Sequence, residues 1–353
     1  MPTEFIAFGV ALLSTLVVTA PVRSLALRLG LVDNPSPRKV HLSPIPLLGG
    51  LAIYIGVVLA ILFVHPGPTQ AQIIAILSAA TMLAFVGILD DGGLLHHQIK
   101  LFVAMPIAAL FLVASGIRAQ VLSSLFPGTL GVILDGCLTV LWVTGITAAF
   151  SILDHMDGLC AGIAGVAAVF FTIAAALDGQ VMVHTLAAAT LGAALGFLRW
   201  NFSPARIFMG DSGAMFLGFL MATLALKLRP EGGAEPIKWL VPLLILGVPI
   251  LDTTLISISR TRRRLIPFTS PGKDHTAHRL ANLGLGQRRA VLSLYALGGF
   301  FGAAALLTLR LTATQAYTLA GVIALCALVA ILFLETAPYE RQSKLEQSSS
   351  PSS

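Results

Sequence analysis

Long uncharged apolar runs recur along this 353-residue chain and limit its fold more than any other feature. A run of about 20 apolar residues is long enough to cross the hydrocarbon core of a bilayer. Backbone polar groups in lipid must be paired within the segment, so such runs predict helices rather than barrel strands. With 56% hydrophobic and 11% charged residues, the chain is predicted to be an all-α integral membrane protein and not a soluble domain.

About eleven of these runs are predicted to be transmembrane helices within one polytopic domain, residues 1–334. Their ranges are 5–27, 47–64, 71–89, 99–115, 129–153, 158–177, 181–199, 212–228, 238–259, 290–309 and 315–334. The first run lacks a basic n-region and continues into Arg23 and Arg28, so it does not read as a cleaved signal peptide. The serine-rich segment Glu335–Ser353 is predicted to be a disordered cytoplasmic tail.

The basic residues predict the orientation. With the N-terminus outside, 17 of the 22 Lys and Arg residues are cytoplasmic, which agrees with the positive-inside rule. We therefore expect a multi-pass protein of the plasma membrane with a cytoplasmic C-terminus. The net charge of +6 follows from this topology and gives little support to a nucleic-acid partner.

Eight of the ten aspartates fall on the predicted cytoplasmic face: Asp33, Asp90, Asp91, Asp154, Asp157, Asp211, Asp252 and Asp274. A carboxylate near a bilayer is costly, so several at one interface indicate a site for a metal, a proton or a ligand. Asp90 and Asp91 end a predicted helix, where the helix dipole disfavours negative charge unless a cation or a proton is shared. Asp154 and Asp157, three residues apart, can share one face of a helical turn.

Two further segments carry features of an anion site. Asp211 precedes an apolar helix and could be its N-cap, but the flanking Gly210 and Gly213 also permit a phosphate to approach the helix N-terminus. His275 and His278 lie beside charged residues in the ninth connection, a cluster that could bind a metal or, as the favoured alternative, a diphosphate. Arg38 and Lys39 in the first loop have two interpretations, topological charges or a grip on an anionic substrate. Arg260, Arg262, Arg263 and Arg264 are interpreted as topological charges.

The predicted ligands favour Mg²⁺, with Mn²⁺ as an alternative, because they are mostly oxygens. Cys137, Cys160 and Cys326 have no metal-ligand spacing and are interpreted as packing residues. Carboxylate-held Mg²⁺ together with cationic residues is typical of phosphoryl transfer. Because the site lies at a membrane interface, one substrate could be a lipid and the other a soluble anion.

The same blocks, in this order, resemble the polyprenyl-phosphate N-acetylhexosamine-1-phosphate transferases, the glycosyltransferase family 4 that includes the WecA/TagO and MraY types. The resemblance extends from about Asp33 to Arg289, and Pro44-Ile-Pro-Leu-Leu-Gly-Gly50 resembles the version in enzymes that use a simple UDP-N-acetylhexosamine. It implies transfer of a sugar 1-phosphate, most simply from UDP-GlcNAc to undecaprenyl phosphate, with release of UMP. This is the first membrane step of cell-envelope polysaccharide synthesis, it requires Mg²⁺, and the resemblance allows a homodimer.

The resemblance also implies roles for individual residues. Asp90 is the expected base that deprotonates the lipid phosphate, helped by Asp91, and Asp211 is the expected Mg²⁺ ligand. Phe208 is expected to stack on uracil with Asn201, Asp157 and Lys39 nearby, while Asp154 orders the same loop. The loop that closes over the sugar diphosphate is expected to contribute His275, His278 and Arg279.

Three positions depart from the family pattern. Ala148 and Ser151 stand where the family usually has asparagines, and the second asparagine helps to hold the metal. A serine hydroxyl at 151 is a shorter and poorer ligand, so we expect an active member with an altered metal site, and a degenerate member is the alternative. His155 stands where Gly or Asn is common.

Two other functions use carboxylates within membranes. A secondary transporter needs them near mid-span, where Asp252 is the main candidate. An intramembrane aspartyl protease needs two facing aspartates within spans, which Asp90 and Asp91 fit poorly. The sequence leaves open the sugar, the polymer, and whether a carboxylate nucleophile takes part.

Overall fold

The computed structural model describes residues 3–33, 44–64, 70–95, 97–230, 238–266 and 272–337. Nearly all of the regular structure is helical. The helices are α1 (Thr3–Leu29), α2 (Gly49–Val64), α3 (Gln70–Asp91), α4 (His97–Ile99), α5 (Met105–Ala114), α6 (Thr129–Leu153), α7 (Leu159–Leu177), α8 (Val181–Asn201), α9 (Gly210–Lys227), α10 (Leu240–Ile245), α11 (Gly247–Arg262), α12 (Thr276–Leu280), α13 (Gly286–Thr308) and α14 (Ala313–Glu335).

Shorter elements complete the fold. Two π-helical turns, Lys100–Ala104 and Ala281–Leu285, lie before α5 and α13, and a 3₁₀ turn spans Leu122–Ser124. Strands β1 (Val32–Asp33) and β2 (Ile45–Pro46) form an antiparallel hairpin in which Val32 faces Pro46. This hairpin is the only departure from helical structure among the elements of the described ranges.

Within the described ranges, seven helical segments are long and apolar enough to cross a membrane: Thr3–Leu29, Gln70–Asp91, Thr129–Leu153, Leu159–Leu177, Val181–Asn201, Thr276–Thr308 and Ala313–Glu335. The predicted all-α membrane class is therefore confirmed. Each of the eleven predicted runs contains a helix, but Gly49–Val64 and Lys100–Ala114 are shorter than the seven, and α10 is separated from α11 at Leu246. The count of eleven spans and the orientation stay predictions.

Small residues bring the first helices into close contact. A side chain at Gly192 of α8 would lie 2.3 Å from the carbonyl oxygen of Phe8, and one at Gly196 would lie 2.6 Å from that of Leu12. Lipid is as apolar as a leucine side chain, so helices in a membrane associate through such close backbone packing. In this way α8 packs along α1.

Helix α9 lies at the centre of the bundle. Every residue from Ser212 to Leu226 is buried, and α2, α3, α6, α7 and α8 all pack against it. Its N-terminus, with Asp211, meets the C-terminal ends of α3 and α6, as the contacts below describe. We call this the site end of the bundle.

A separate set of polar contacts lies at the opposite end. The Asp135 carboxylate accepts hydrogen bonds from the backbone N–H groups of Val121, Leu122 and Ser123. Lys227, at the end of α9, donates to Gln72 Oε1 near the start of α3 at 2.8 Å. Asp135 therefore lies away from the eight aspartates of the predicted cytoplasmic face, as its position in the sequence predicts, and Asp178, at the end of α7, is predicted to lie on the same side as Asp135.

The end of the last helix differs from the predicted boundary. Glu335, predicted to begin the disordered tail, is the last residue of α14, and its side chain is 11% exposed. Ion pairs with Arg262 and Arg279 fix it. The remainder of the predicted tail from residue 338 onward lies outside the described residues.

Candidate active site

A cavity of about 620 Å³ opens at the site end of the bundle. Its volume lies within the range of small-molecule binding sites. It is lined by residues of four separate connections, among them the predicted site residues Asp91, Ser151, Asp154, Asp157, Asn201, Phe208, Asp211 and His278. Lys39 lies outside the described residues.

Asp91 caps the helix that carries Asp211. Its Oδ1 accepts a hydrogen bond from the Asp211 backbone N–H at 2.8 Å, and its Oδ2 accepts one from the Ser212 N–H at 3.2 Å. The first N–H groups of a helix have no partner within it, and the helix dipole favours a negative charge there. The cap of α9 therefore comes from the end of α3, and not from Asp211 itself as one reading of the sequence suggested.

Two glycines make this close approach sterically accessible. Gly210 has φ +73°, and a side chain there would lie 2.5 Å from Asp91 Oδ2. Gly87, one turn before Asp91 on α3, would place a side chain 2.4 Å from the backbone of Ser212. The first contact is with a carboxylate that two hydrogen bonds hold against α9, and the second is with backbone, so a larger residue at either position would push α3 and α9 apart.

Lys100 joins two of the carboxylates. Its Nζ donates to Asp90 Oδ2 at 2.9 Å and also to Asp211 Oδ2. The Ser151 hydroxyl donates to the other oxygen of Asp211, Oδ1, at 2.5 Å. Asp90, Lys100, Asp211 and Ser151 therefore form a continuous polar row.

Lys100 is a site residue that the sequence pattern does not single out, because it looks like one of many topological charges. It lies at the start of the π-helical turn Lys100–Ala104. The signal that could have identified it is its position: a lysine ten residues after Asp90, at the start of the next apolar run, on the same predicted face.

Asp154 and Asp157 lie on the connection between α6 and α7. Burial, together with the charges of Asp211 and Asp91, raises the pKa of Asp154 to about 8. Asp157 Oδ2 accepts a hydrogen bond from the Ala205 N–H at 2.9 Å. Asp157 thereby ties this connection to the one between α8 and α9.

Asn201 makes a second tie between the same two connections. Its Oδ1 accepts from the Gly158 N–H at 3.0 Å, and its Nδ2 donates to the Ile207 carbonyl at 3.0 Å. Both ends of the side-chain amide thus bond to the backbone, although Asn201 also lines the cavity. Its observed contacts are those of a residue that orders the wall of the cavity.

Phe208 is held by the first connection. Its N–H donates to the Pro46 carbonyl at 2.8 Å, and its carbonyl accepts from the Gly49 N–H at 2.9 Å. Gly50 continues the pairing with Met209 at 2.8 Å. The Pro-rich and Gly-Gly block of the sequence therefore positions the backbone of Phe208 at the cavity.

The predicted histidine loop is only partly at the cavity. His278 lines it, whereas His275 is buried, with its Nδ1 3.0 Å from Asp252 Oδ2. Asp252 also accepts from the Thr276 N–H at 2.7 Å, so its carboxylate has the helix α12 and His275 as partners. Asp252 is the residue on which the transporter alternative depended, and these contacts give it a structural role in holding the loop.

His155 packs against this loop. Its ring is stacked on His275 with centroids 3.9 Å apart, and its centroid lies 4.8 Å from that of His278. Burial, together with the charges that His275 and His278 can carry, lowers the pKa of His155 well below its ordinary value. His155, which departs from the family pattern, therefore places a third imidazole ring against His275 and His278.

The structure does not bring Arg279 to the cavity, where the resemblance implies a contact with the sugar diphosphate. The side chain is fully buried. Its hydrogen bonds reach the Asp274 carbonyl, Ser259 Oγ, the Leu334 carbonyl and Glu335 Oε1, at 2.7–2.8 Å. Burial of a guanidinium is costly unless its donors are paired, and this set of acceptors explains its position.

Two of the loop arginines, Arg260 and Arg263, share the Asp274 carboxylate. Arg260 donates twice to the Asp274 carboxylate, at 3.1 and 2.7 Å, and Arg263 donates to it as well. These hydrogen bonds keep the pKa of Asp274 well below its ordinary value. The pattern identifies Asp274 as a buried anchor of the loop.

The oxygen donors at Asp211 and Ser151 fit Mg²⁺. No group of three or more His, Cys, Asp or Glu side chains in the described ranges is arranged to hold a metal by itself. Mg²⁺ is usually bound by one or two carboxylates together with substrate phosphates, so such a group is not required. The carboxylates that line the cavity outnumber the ammonium groups at it, Lys273 in its wall and Lys100 beside Asp211, which favours a divalent cation.

Known proteins resemble this chain over most of its length. The model of glycosyl transferase family 4 matches residues 73–229. A probable undecaprenyl-phosphate N-acetylglucosaminyl 1-phosphate transferase of Bacillus subtilis (strain 168) is 38% identical over 304 residues, which cover 85% of this chain and 84% of that protein.

Two other relatives carry related names. A decaprenyl-phosphate N-acetylglucosaminephosphotransferase of Mycobacterium tuberculosis (strain ATCC 25618 / H37Rv) is 34% identical over 325 residues, or 83% of this chain and 80% of that protein. An undecaprenyl-phosphate alpha-N-acetylglucosaminyl 1-phosphate transferase of Escherichia coli (strain K12) is 29% identical over 282 residues, or 76% and 74%.

Proposed function

Because this chain belongs to glycosyl transferase family 4, and its relatives are named as polyprenyl-phosphate N-acetylglucosamine-1-phosphate transferases, we propose that it transfers N-acetylglucosamine 1-phosphate to a polyprenyl phosphate. It is a multi-pass membrane enzyme, as its apolar helices and its family indicate. We propose undecaprenyl phosphate as the acceptor and UDP-GlcNAc as the donor.

One observation carries this proposal: the polar row of Asp90, Lys100, Asp211 and Ser151 lies at the helix ends beside a cavity of about 620 Å³. A lipid phosphate in the headgroup region and a soluble nucleotide sugar can both reach such a position. A transporter would instead need its polar site near mid-span.

The reaction we propose is a direct displacement. Asp90 accepts the proton of the lipid phosphate, and the resulting oxyanion attacks the β-phosphorus of the UDP-sugar. The bond between that phosphorus and the bridging oxygen breaks, and UMP leaves with the bridging oxygen. Lys100, already bound to Asp90 and Asp211, lies where its positive charge offsets the phosphate charges that gather there.

Mg²⁺ is the cofactor we propose, with Asp211 and Ser151 as the residues that would hold it. When bound, it would neutralise phosphate charge at the leaving group. The remaining residues shape the pocket. Phe208 would offer its ring to uracil, and His278 would contact the diphosphate or sugar; Lys39 stays a predicted contact.

The proposed orientation has eleven spans, the N-terminus outside and the site end in the cytoplasm. Its support is the excess of basic residues on that face, 17 of 22. The plasma membrane is the proposed location, since UDP-sugars are cytoplasmic metabolites. The homodimer that the resemblance allows stays a prediction.

The direct test is UMP release by the purified chain in detergent with UDP-GlcNAc, undecaprenyl phosphate and Mg²⁺. We expect release that requires both the lipid and the metal, and that Asp211→Asn abolishes at an unchanged melting temperature. Full turnover by that variant would contradict the role of Asp211. Absence of UMP with every UDP-N-acetylhexosamine would favour the degenerate enzyme that Ala148 and Ser151 suggest.

A further inference from the structure

A buried ionic network lies outside the cavity and joins two distant parts of the chain. At its centre, Arg279 of α12 donates to Leu334 O at 2.7 Å and to Glu335 Oε1 at 2.8 Å. Leu334 and Glu335 are the last two residues of α14. Nothing in the proposed reaction uses this network.

The network lies directly behind a residue of the cavity wall. His278 lines the cavity, while the next residue, Arg279, is fully buried on the far side of the same helix. Adjacent residues of a helix point about 100° apart, so α12 presents one to the cavity and the other to α14. Because His278 and Arg279 lie in the same turn, at the start of the helical segment Thr276–Thr308, a shift of Arg279 also shifts His278.

Different groups hold the start of α12 and the Arg279 side chain. Asp252 holds the start through the Thr276 N–H at 2.7 Å. At Arg279, the same guanidinium also bonds to Ser259 Oγ of α11 and to the Asp274 carbonyl. Only the bonds to Leu334 and Glu335 bring in α14, whose contacts with the rest of the bundle are otherwise few.

We propose that Arg279 is a positioning residue, and that the C-terminal end of α14 holds His278 against the donor substrate through it. This inference rests on the proposed function. It assigns the last membrane helix to the framework of the active site, although no residue of α14 reaches the cavity. The fork of the guanidinium is needed because it bonds to three segments at once, which an ammonium cannot reproduce.

The experiment compares Glu335→Ala with a matched control, Arg262→Gln. Arg262 contacts the same Glu335 carboxylate at 3.3 Å, but its side chain is 67% exposed. For Glu335→Ala we expect the KM for UDP-GlcNAc to rise about tenfold, the effect of one charge-assisted hydrogen bond, with the KM for undecaprenyl phosphate unchanged. Arg262→Gln should leave both values as in the wild type, and Glu335→Gln should recover most of the loss because its amide oxygen still accepts.

A double-mutant cycle with His278→Ala separates positioning from general packing. If α14 acts through His278, adding Glu335→Ala to His278→Ala raises the KM for the donor no further. A merely structural role would reduce the active fraction and leave both KM values unchanged, and that result would overturn the proposal. An additive effect of the two substitutions would overturn it as well.

The outcome is distinguishable from failure of the proposed function. That function is tested by the wild-type enzyme alone, through lipid-dependent UMP release. With wild-type activity present, a wild-type donor KM in folded Glu335→Ala would refute the positioning role without affecting the reaction. Folding is checked by melting temperature, and Arg279→Lys gives a second, independent disruption of the same contact.

Discussion

The Asp91 carboxylate accepts a hydrogen bond from the backbone N–H of Asp211 at 2.8 Å, so one site aspartate caps the helix that begins at another. This contact gives the adjacent pair Asp90–Asp91 two different roles. Asp90 faces the Lys100 ammonium, whereas Asp91 faces the start of α9. The two carboxylates therefore differ in what their removal should do.

Asp91→Asn should lower both stability and activity, because an amide offers one acceptor where the carboxylate supplies two. Loss of a helix cap costs about 1–2 kcal/mol. Asp90→Asn should reduce the rate of UMP release at saturating substrates while leaving the melting temperature within a degree or two of wild type. Melting temperatures and kcat of the two variants, measured side by side, check this, and equal melting temperatures would contradict the cap.

Gly210→Ala should be strongly harmful, since φ is +73° and the new methyl group would lie 2.5 Å from Asp91 Oδ2. We expect a loss of at least about 1 kcal/mol in the free energy of unfolding and a large loss of activity. The matched control is Gly145→Ala in α6, where a methyl group would meet nothing within 4 Å. The melting temperature and the rate of UMP release of that control should equal those of the wild type. Equal losses in the two variants would argue against the close approach of Gly210 to Asp91.

Ser151→Asn should lower the Mg²⁺ concentration needed for half-maximal activity, because an amide carbonyl is a longer and better neutral ligand than a hydroxyl. The observed hydrogen bond from Ser151 to Asp211 places the new side chain beside the proposed metal ligand. A Mg²⁺ titration of UMP release measures the effect. Ala148→Asn is the comparison: Ala148 is 4% exposed, so it should lose stability instead. An unchanged or raised Mg²⁺ requirement in Ser151→Asn would refute the reading of residue 151.

The contribution of His155 to stability should fall on mild acidification, because its pKa is lower in the fold than in the unfolded chain. Asp154, whose pKa is raised to about 8 in the fold, contributes in the opposite direction, so the effect of His155 is measured as a difference between two variants. The unfolded state then binds an extra proton at His155 below about pH 6.5, and each pH unit costs about 1.4 kcal/mol for that group. Above this pH, His155 is neutral in both states and does not oppose folding. Below it, protonation of the unfolded chain lowers the free energy of unfolding. The melting temperature of the wild type should therefore fall relative to that of His155→Asn as the pH is lowered from 7.5 to 5.5, and equal slopes would exclude a contribution of His155.

The helical class and the gathering of the aspartates could be predicted from sequence because both depend on local patterns. Apolar runs mark helices, and alternate connections share a side of the bundle. Asp154, Asp157 and Asp211 accordingly line one cavity. Ser151, noticed only as a departure from a family pattern, bonds to Asp211.

The partners of individual side chains could not be predicted, because they depend on packing between distant segments. Lys100 looks like one of many interfacial cations until the fold places the turn Lys100–Ala104 beside the end of α3 and the start of α9. Arg279 follows His278 directly in sequence, yet faces α14 and not the cavity, since direction around a helix matters more than proximity along the chain. Charge alone did not distinguish a buried anchor from a substrate contact.

The central position of α9 isolates the helix that carries Asp211 from direct contact with the surrounding lipid. Every side chain from Ser212 to Leu226 is buried within the protein, so other helices form the boundary with lipid. A change in membrane thickness acts on those outer helices, which can tilt to match it. Asp211 therefore lies at the start of a helix that other helices shield from lipid. The reaction should proceed at similar rates in membranes of different thickness.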